Sequence, residues 1–285
     1  MKHLIVGASG QVGGALTREL EHRGEAVAGT YMSRPQAGMV PLDMRDAASA
    51  QRLVDDVTPD VIWIPGAMPD VDRCEREPDL SHAINVDGPK ILLELAASRR
   101  ISLVYFSTDY VFDGTGGPYR ENHAPRPLQV YGSHKLEAET ALLQYDGTLI
   151  IRPAWIYSDE INPRNFVFRV LTDLKAKRPI KAAVDQFNTP TPAAPLAQHA
   201  MDALIAGHRG ILHLAGPERI SRKELVERIA ALAGYGDVVV ESVTLGNLPL
   251  PAQRPANGGL ATNFPRFAIL DRLEDLNFRQ ILTGI

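Results

Sequence analysis

The chain has 285 residues, 45% of them hydrophobic and 22% charged, enough apolar material for one large domain or a domain plus a lobe. With 30 basic against 34 acidic residues and a formal net charge of −4, no overall field favours duplex nucleic acid, and no nucleic-acid partner is expected. A single cysteine, Cys74, excludes an intramolecular disulfide and a cysteine-based metal site, and fits a reducing, cytoplasmic setting.

His3 to Val6 reads as a buried strand, too short for a secretory signal core. No later segment offers the roughly 18 uninterrupted apolar residues of a membrane span. A helix is expected from Gly10 to His22 and a second strand over Ala26 to Thr30, the alternation that builds a parallel sheet in an α/β fold. The pattern repeats with a strand at Val61 to Ile64, a helix at Gly88 to Ser98 and a strand at Ser102 to Phe106. Helix 132–143 and strand Thr148 to Ile151 continue it. Beyond about residue 158 the chain becomes proline-rich (Pro190, Pro192, Pro195), which marks the start of a second, smaller lobe. Ile211 to Leu214 reads as one more strand, and Ser221 to Ala233 as a helix with Ser221 at its N-cap and Glu224 three residues on.

Gly7-Ala8-Ser9-Gly10-Gln11-Val12-Gly13 follows the first strand and opens the first helix. In that position a glycine-rich turn lets a dinucleotide pyrophosphate approach backbone amides, because a side chain would block it. The spacing G-x-x-G-x-x-G differs from the usual dinucleotide fingerprint, so a plain strand-to-helix turn stays open. Many dinucleotide folds place an acid at the end of the second strand to hold the adenosine ribose. Here Thr30-Tyr31-Met32-Ser33-Arg34 offers a hydroxyl and a guanidinium instead, which suit a 2′-phosphate and favour NADP over NAD. Arg34 could equally be a solvated surface arginine.

Tyr131 and Lys135 are four apart and project from one helix face. A free tyrosine titrates near 10, too high for proton exchange at neutral pH, and a neighbouring ammonium is expected to lower it. Seen alone, Tyr-x-x-x-Lys is a chance pair. Ser107-Thr108-Asp109 lies just past a strand, at the carboxyl edge where open α/β sheets bind ligands, and a hydroxyl there can donate to a substrate carbonyl. The eight histidines have no converging spacing, so no catalytic metal is expected, and His134 reads as a solvated helix residue.

Together these residues resemble the extended short-chain dehydrogenase/reductases, and within them the dTDP-4-dehydrorhamnose reductase family. The likeness runs through Gly7 to Gly13, Leu42-Asp43-Met44, Val71-Asp72, Glu75 to Pro78, Asn85-Val86 and the long run Ser107 to Gly114. It continues in Tyr131 and Lys135, Arg152 to Tyr157, Asp185-Gln186, Pro190-Thr191 and Arg254-Pro255. The resemblance implies a Rossmann-type doubly wound parallel sheet with a smaller C-terminal substrate-binding lobe. The NADP-binding domain would span 1–158 and also receive about 186–215. The lobe would comprise 159–185 and 216–285.

By the same resemblance the protein would be an NADPH-dependent reductase of a nucleotide-activated 4-keto-6-deoxysugar, with NADPH preferred to NADH. Tyr131 would donate the proton, Lys135 would hold the nicotinamide ribose and depress the tyrosine, and Thr108 would polarise the keto oxygen. Gly7, Gly10, Gln11, Val12, Gly13, Arg34, Asp43 and Met44 would contact the cofactor. Gly66, Ala67 and Met68 would also lie beside it, although Ile64-Pro65-Gly66-Ala67-Met68-Pro69 departs from the family's Asn-Ala-Ala pattern. Asp109, Tyr110, Trp155 and Arg254 would line the substrate pocket. Trp155 as a core aromatic and Arg254 as a surface ion pair stay open. The C-terminal stretch from Gly258 departs from the family and leaves the sugar undefined. Two other readings share the resemblance. One is a non-catalytic NADP-binding regulator like the methionine adenosyltransferase beta subunit, and the other is a sugar-nucleotide epimerase or dehydratase. A homodimer is common among relatives.

Overall fold

Val61-Ile62-Trp63-Ile64 is apolar at every position and forms a strand buried on both faces, the pattern of a parallel sheet covered by helices. The computed structural model describes residues 1–160, 165–283 and 285, so 161–164 of the expected lobe lie outside the described residues. The first half runs β1 (Lys2–Ile5), α1 (Gln11–His22), β2 (Ala26–Tyr31), β3 (Val40–Pro41), α2 (Ala47–Val57), β4 (Val61–Ile64), α3 (Val71–Arg76) and α4 (Pro78–His82). A π-helical turn (Ala83–Asp87) leads into α5 (Gly88–Arg99) and β5 (Ser102–Phe106). A 3₁₀ turn (Asp109–Val111) then precedes α6 (Val130–Leu142) and β6 (Thr148–Arg152). The remainder comprises β7 (Ile156–Tyr157), α7 (Phe166–Lys175), β8 (Lys181–Ala183), β9 (Phe187–Asn188), β10 (Thr191–Pro192), α8 (Ala193–Ile205) and β11 (Gly210–His213). After these come β12 (Ile220–Ser221), α9 (Arg222–Leu232), β13 (Glu241–Val243) and α10 (Phe278–Thr283).

Seven strands form one sheet in the order β11-β6-β5-β4-β1-β2-β3, with parallel pairing throughout. Side-chain alternation sends Ile5, Trp63, Val104 and Ile151 to the face packed by α1 and α8. Leu4, Ile62, Leu103 and Ile150 go to the face packed by α2, α5 and α6. The strand order reverses between β1 and β4, so a crevice opens there at the carboxyl ends, where doubly wound sheets bind ligands. A separate hydrophobic cluster gathers Tyr157, Leu171 and Leu174 with Leu225, Ile229, Phe278 and Ile281.

The strands and helices expected from periodicity form with their ends shifted by two residues or fewer. The Ser221 hydroxyl accepts from the Glu224 N–H at 3.0 Å and caps α9 as expected. Helices α2, α3, α4, α7, α8 and α10 were not expected. α8 reads Ala193-Ala194-Pro195 at its start, where proline is compatible with a first helical turn whose N–H groups have no partner within the helix.

Candidate functional site

Gly7 has φ +96°, and a Cβ there would lie 2.7 Å from the Cα of Gly66. At Gly13 a Cβ would meet the Gly7 carbonyl oxygen at 2.2 Å. The turn thus needs glycine at both positions, one for its backbone conformation and one so that α1 can start against the loop. The Gly10 N–H donates back to the Gly7 carbonyl at 3.0 Å, and α1 begins one residue later with its free N–H groups facing the crevice. Such a turn is of the kind that can receive a pyrophosphate. Gln11 turns away from it, donating to the Ser158 hydroxyl at 2.9 Å, while Val12 packs on the core beneath.

At the end of β2 one expectation is corrected. The Thr30 hydroxyl is buried and accepts from the Gly7 N–H at 3.1 Å, so it braces the glycine turn and offers nothing to a 2′-phosphate. Arg34 lies past the strand and, among the described residues, forms no ion pair. Asp43 is held by Arg45 through a paired contact, which keeps its carboxyl below the usual range. The Met44 side chain is buried against Gly88, leaving its backbone as the part that can face a ligand.

Thr108, Tyr131 and Lys135 come together at the carboxyl end of β5. The Lys135 ammonium is 1% exposed, donates to the Phe106 carbonyl at 2.7 Å and lies 3.9 Å above the Tyr105 ring. Burial pulls it down to about 7, opposed by the charge of Glu139 one turn along α6 and by Cys74. Burial also pushes the Tyr131 phenol well above its ordinary value; Cys74 and Asp109 add to the rise, and the facing Thr108 hydroxyl opposes it. The lowering of Tyr131 expected from Lys135 is outweighed by desolvation, and the ammonium is aimed at a main-chain carbonyl. Glu139 is itself paired with Arg152 at 2.9 Å, both side chains being fully buried.

The 65–69 loop is held by a residue that spacing alone did not single out. Asn85, in the π-helical turn, accepts from the Met68 N–H at 2.9 Å and donates to the Met68 carbonyl at 3.2 Å. Gly66 is fixed beside Gly7 by its N–H donating to the Val6 carbonyl at 2.9 Å, and the Met68 side chain packs with Cys74, Tyr110 and Tyr131.

Asp109 is buried, accepts from Asn188 at 2.7 Å and from the Thr108 hydroxyl at 3.3 Å, and is pushed up to about 6 by burial. The Tyr110 and Tyr131 rings meet edge to face at 6.2 Å. Trp155 has φ +35°, and its indole is covered by the guanidinium of Arg222 at 3.4 Å. Arg254 donates to Asp72 at 2.8 Å and to the Ala252 carbonyl, fastening the C-terminal strap to α3. Among the described residues, three side chains round this crevice carry buried polar atoms without partners, namely Ser107 Oγ, both amide atoms of Gln129 and Trp155 Nε1. Such groups are rare in native interiors and fit a site completed by a polar ligand. Gln129, Asn188 and Arg222 were missed, and Asn85 was named without a role, because their roles come from contacts across the fold. Among the described residues no cluster of three or more His, Cys, Asp or Glu side chains could hold a metal, and no helix is long and apolar enough to cross a membrane.

The family model of the RmlD substrate binding domain matches residues 1–275. The chain is 32% identical over 263 residues to a probable low-salt glycan biosynthesis reductase of Haloferax volcanii, covering 90% of this chain and 88% of that protein. It is 33% identical over 277 residues to the dTDP-4-dehydrorhamnose reductase of Streptomyces griseus, covering 94% and 85%. The crystal structure of the Bacillus anthracis dTDP-4-dehydrorhamnose reductase in complex with NADP superposes with a TM-score of 0.86 at 26% identity, over 99% of this chain and 98% of that one. A shorter likeness, 38% identity over 157 residues, links 55% of the chain to 47% of the methionine adenosyltransferase 2 subunit beta of Xenopus laevis.

Proposed function

The chain belongs to the RmlD substrate binding domain family, and from that premise we propose that it is an NADPH-dependent reductase of a nucleotide-activated 4-keto-6-deoxysugar. The observation that carries this reading is the convergence of Thr108, Tyr131 and Lys135 beside the Gly7–Gly66 contact, under a crevice ringed by unsatisfied polar atoms. The cradle at Gly7, Gly10 and Gly13 fits a dinucleotide pyrophosphate. Asp43, the Met44 backbone, the 66–68 loop and Lys135 would hold the rest of the cofactor, which supplies a hydride to the keto carbon.

The chain's own part is proton management. Tyr131, kept protonated by its burial, donates to the keto oxygen as that atom gains charge. Thr108 hydrogen-bonds to the same oxygen, and Lys135 compensates the phenolate left behind. We assign 1–158 with 186–215 to the cofactor domain, and 159–185 with 216–285 to the substrate lobe built round the separate cluster. A cytoplasmic homodimer without a nucleic-acid partner completes the reading, and light scattering tests the assembly.

The regulatory reading is not favoured, since the chain keeps the full hydroxyl, phenol and ammonium set, and the likeness to the beta subunit covers 55% of the chain. An epimerase or dehydratase is also disfavoured by the lack of an acid at the end of β2. Loss of NADPH absorbance with dTDP-4-keto-6-deoxysugars tests the proposal. Tyr131→Phe should keep NADPH binding and lower turnover about 100-fold or more. Unchanged turnover in that variant removes Tyr131 as the donor, and NADPH binding without oxidation of any sugar nucleotide would return the regulatory reading.

A further inference from the structure

Arg222 is the first residue of α9, and its main-chain N–H donates to the Gln186 carbonyl at 2.8 Å, which fixes where the side chain starts. The guanidinium is stacked between rings, 3.4 Å from the centre of Trp155 and 4.4 Å from that of Phe166. Among the described residues it forms no ion pair, and its side chain donates to no protein acceptor. Burial pushes it down to about 10, and Arg169 and Arg254 act in the same direction, against Tyr110 and Asp109. A partly desolvated cation without a counter-ion raises the energy of the fold unless something else pairs with it.

The surrounding side chains are also weighted towards cations. Arg254 is neutralised by Asp72. Arg169 sits 5.8 Å above the Phe166 ring and also has no carboxylate among the described residues. Both arginines border a cleft of about 250 Å³ that Phe166 and Lys181 also line. The one carboxylate on its wall, Asp173, is paired with Arg178 at 2.7 Å. Against the other side of Arg222, the Trp155 Nε1–H is buried without an acceptor among the described residues, on a residue whose positive φ is unusual for a bulky side chain. Strain, an orphaned donor and an unpaired fork of N–H groups therefore coincide, and a planar guanidinium matches phosphate oxygens in paired fashion.

We infer that Arg222, backed by Arg169, receives the phosphate-bearing part of the substrate. The inference rests on the sugar-nucleotide reading and locates the charged half of that ligand between α7 and α9, away from the cofactor cradle. Titration calorimetry of the NADPH-loaded full chain with dTDP, thymidine and inorganic pyrophosphate tests it. The wild type should bind dTDP more tightly than thymidine. Arg222→Gln should weaken dTDP about 10-fold or more while thymidine and NADPH are unchanged, and Arg222→Lys should recover part of the loss. If Arg222→Gln fails to hold NADPH, Arg169→Gln, on an exposed side chain, carries the test with an expected loss of about threefold. Variants that hold NADPH and bind dTDP within twofold of wild type overturn the inference, and so does a wild type that binds none of the three probes. Pyrophosphate binding that depends on Arg222, in a protein that oxidises NADPH with no 4-keto sugar nucleotide, supports the anion site and removes the reductase reading instead.

Discussion

The ammonium of Lys135 donates to the main-chain carbonyl of Phe106 at 2.7 Å, tying the helix that carries Tyr131 to the strand that presents Thr108. The bond crosses from α6 to β5 and sets the geometry of the reacting group before any ligand arrives. It also places a lysine where water is nearly absent, and burial pulls its pKa down to about 7.

A basic limb in the pH profile follows. The Lys135 ammonium is lost as pH rises through about 7, so kcat/KM should fall on that side. Lys135→Arg, whose guanidinium does not deprotonate, should show a lower rate without that limb. A wild-type profile flat from pH 6 to 9 contradicts the account.

The same shift has a stability consequence with a definite sign. The folded value lies below the ordinary 10.5, so between the two pH values the unfolded chain binds more protons and stability rises with pH. Lys135→Met should therefore stabilise the fold by ~3 kcal/mol below pH 7, and by progressively less towards pH 10. Thermal melts at pH 6 and pH 10 check this, and an equal gain at both would refute it.

Asp109 behaves in the opposite sense. Its folded value of about 6 lies above the ordinary 3.8, so the stability it lends at acid pH is lost as pH rises through 6. Asp109→Asn keeps an oxygen to accept from Asn188 and removes the buried charge. Relative to wild type the variant should gain on the order of 2 kcal/mol at pH 8, and show no gain at pH 3. Urea unfolding at both pH values is the measurement.

Gly7→Ala should be severe, since φ is +96° and the new methyl would sit 2.7 Å from the Gly66 Cα. A loss of about 3 kcal/mol and of NADPH binding is expected. Gly24→Ala is the control, because its φ is +74° with nothing within 4 Å. That change should cost about 1 kcal/mol and leave binding intact. Equal effects would mean that only the backbone angle matters.

Arg34→Ala should weaken NADPH more than NADH, about 10-fold by fluorescence titration. An equal effect on both cofactors would take Arg34 out of the 2′-phosphate site.

Much of this protein was legible in the sequence because the signals are local. Apolar runs such as Val61 to Ile64 fix buried strands, and glycine spacing fixes a tight turn after β1. Four-residue spacing puts Tyr131 and Lys135 on one helix face, and together with the Ser107 to Gly114 run this identified the family. Of the helices missed, α2, α7 and α8 have apolar faces whose use depends on what packs against them.

What the tertiary structure alone decided is where the charges and hydroxyls end up. The segment from Thr30 to Arg34 offered a hydroxyl and a guanidinium for a phosphate in the sequence, yet folding turns Thr30 inward onto Gly7 and leaves Arg34 half-buried past the strand. Tyr131 was expected to be lowered by its lysine, and burial instead raises it. Nothing local marked Arg222, which gains its meaning from Trp155 and Phe166, separated from it by more than fifty residues. Backbone preference and periodicity are written residue by residue and can be read along the chain. Desolvation and ion pairing depend on distances between remote segments, and these exist only once the sheet, the lobe and the strap have closed round the crevice.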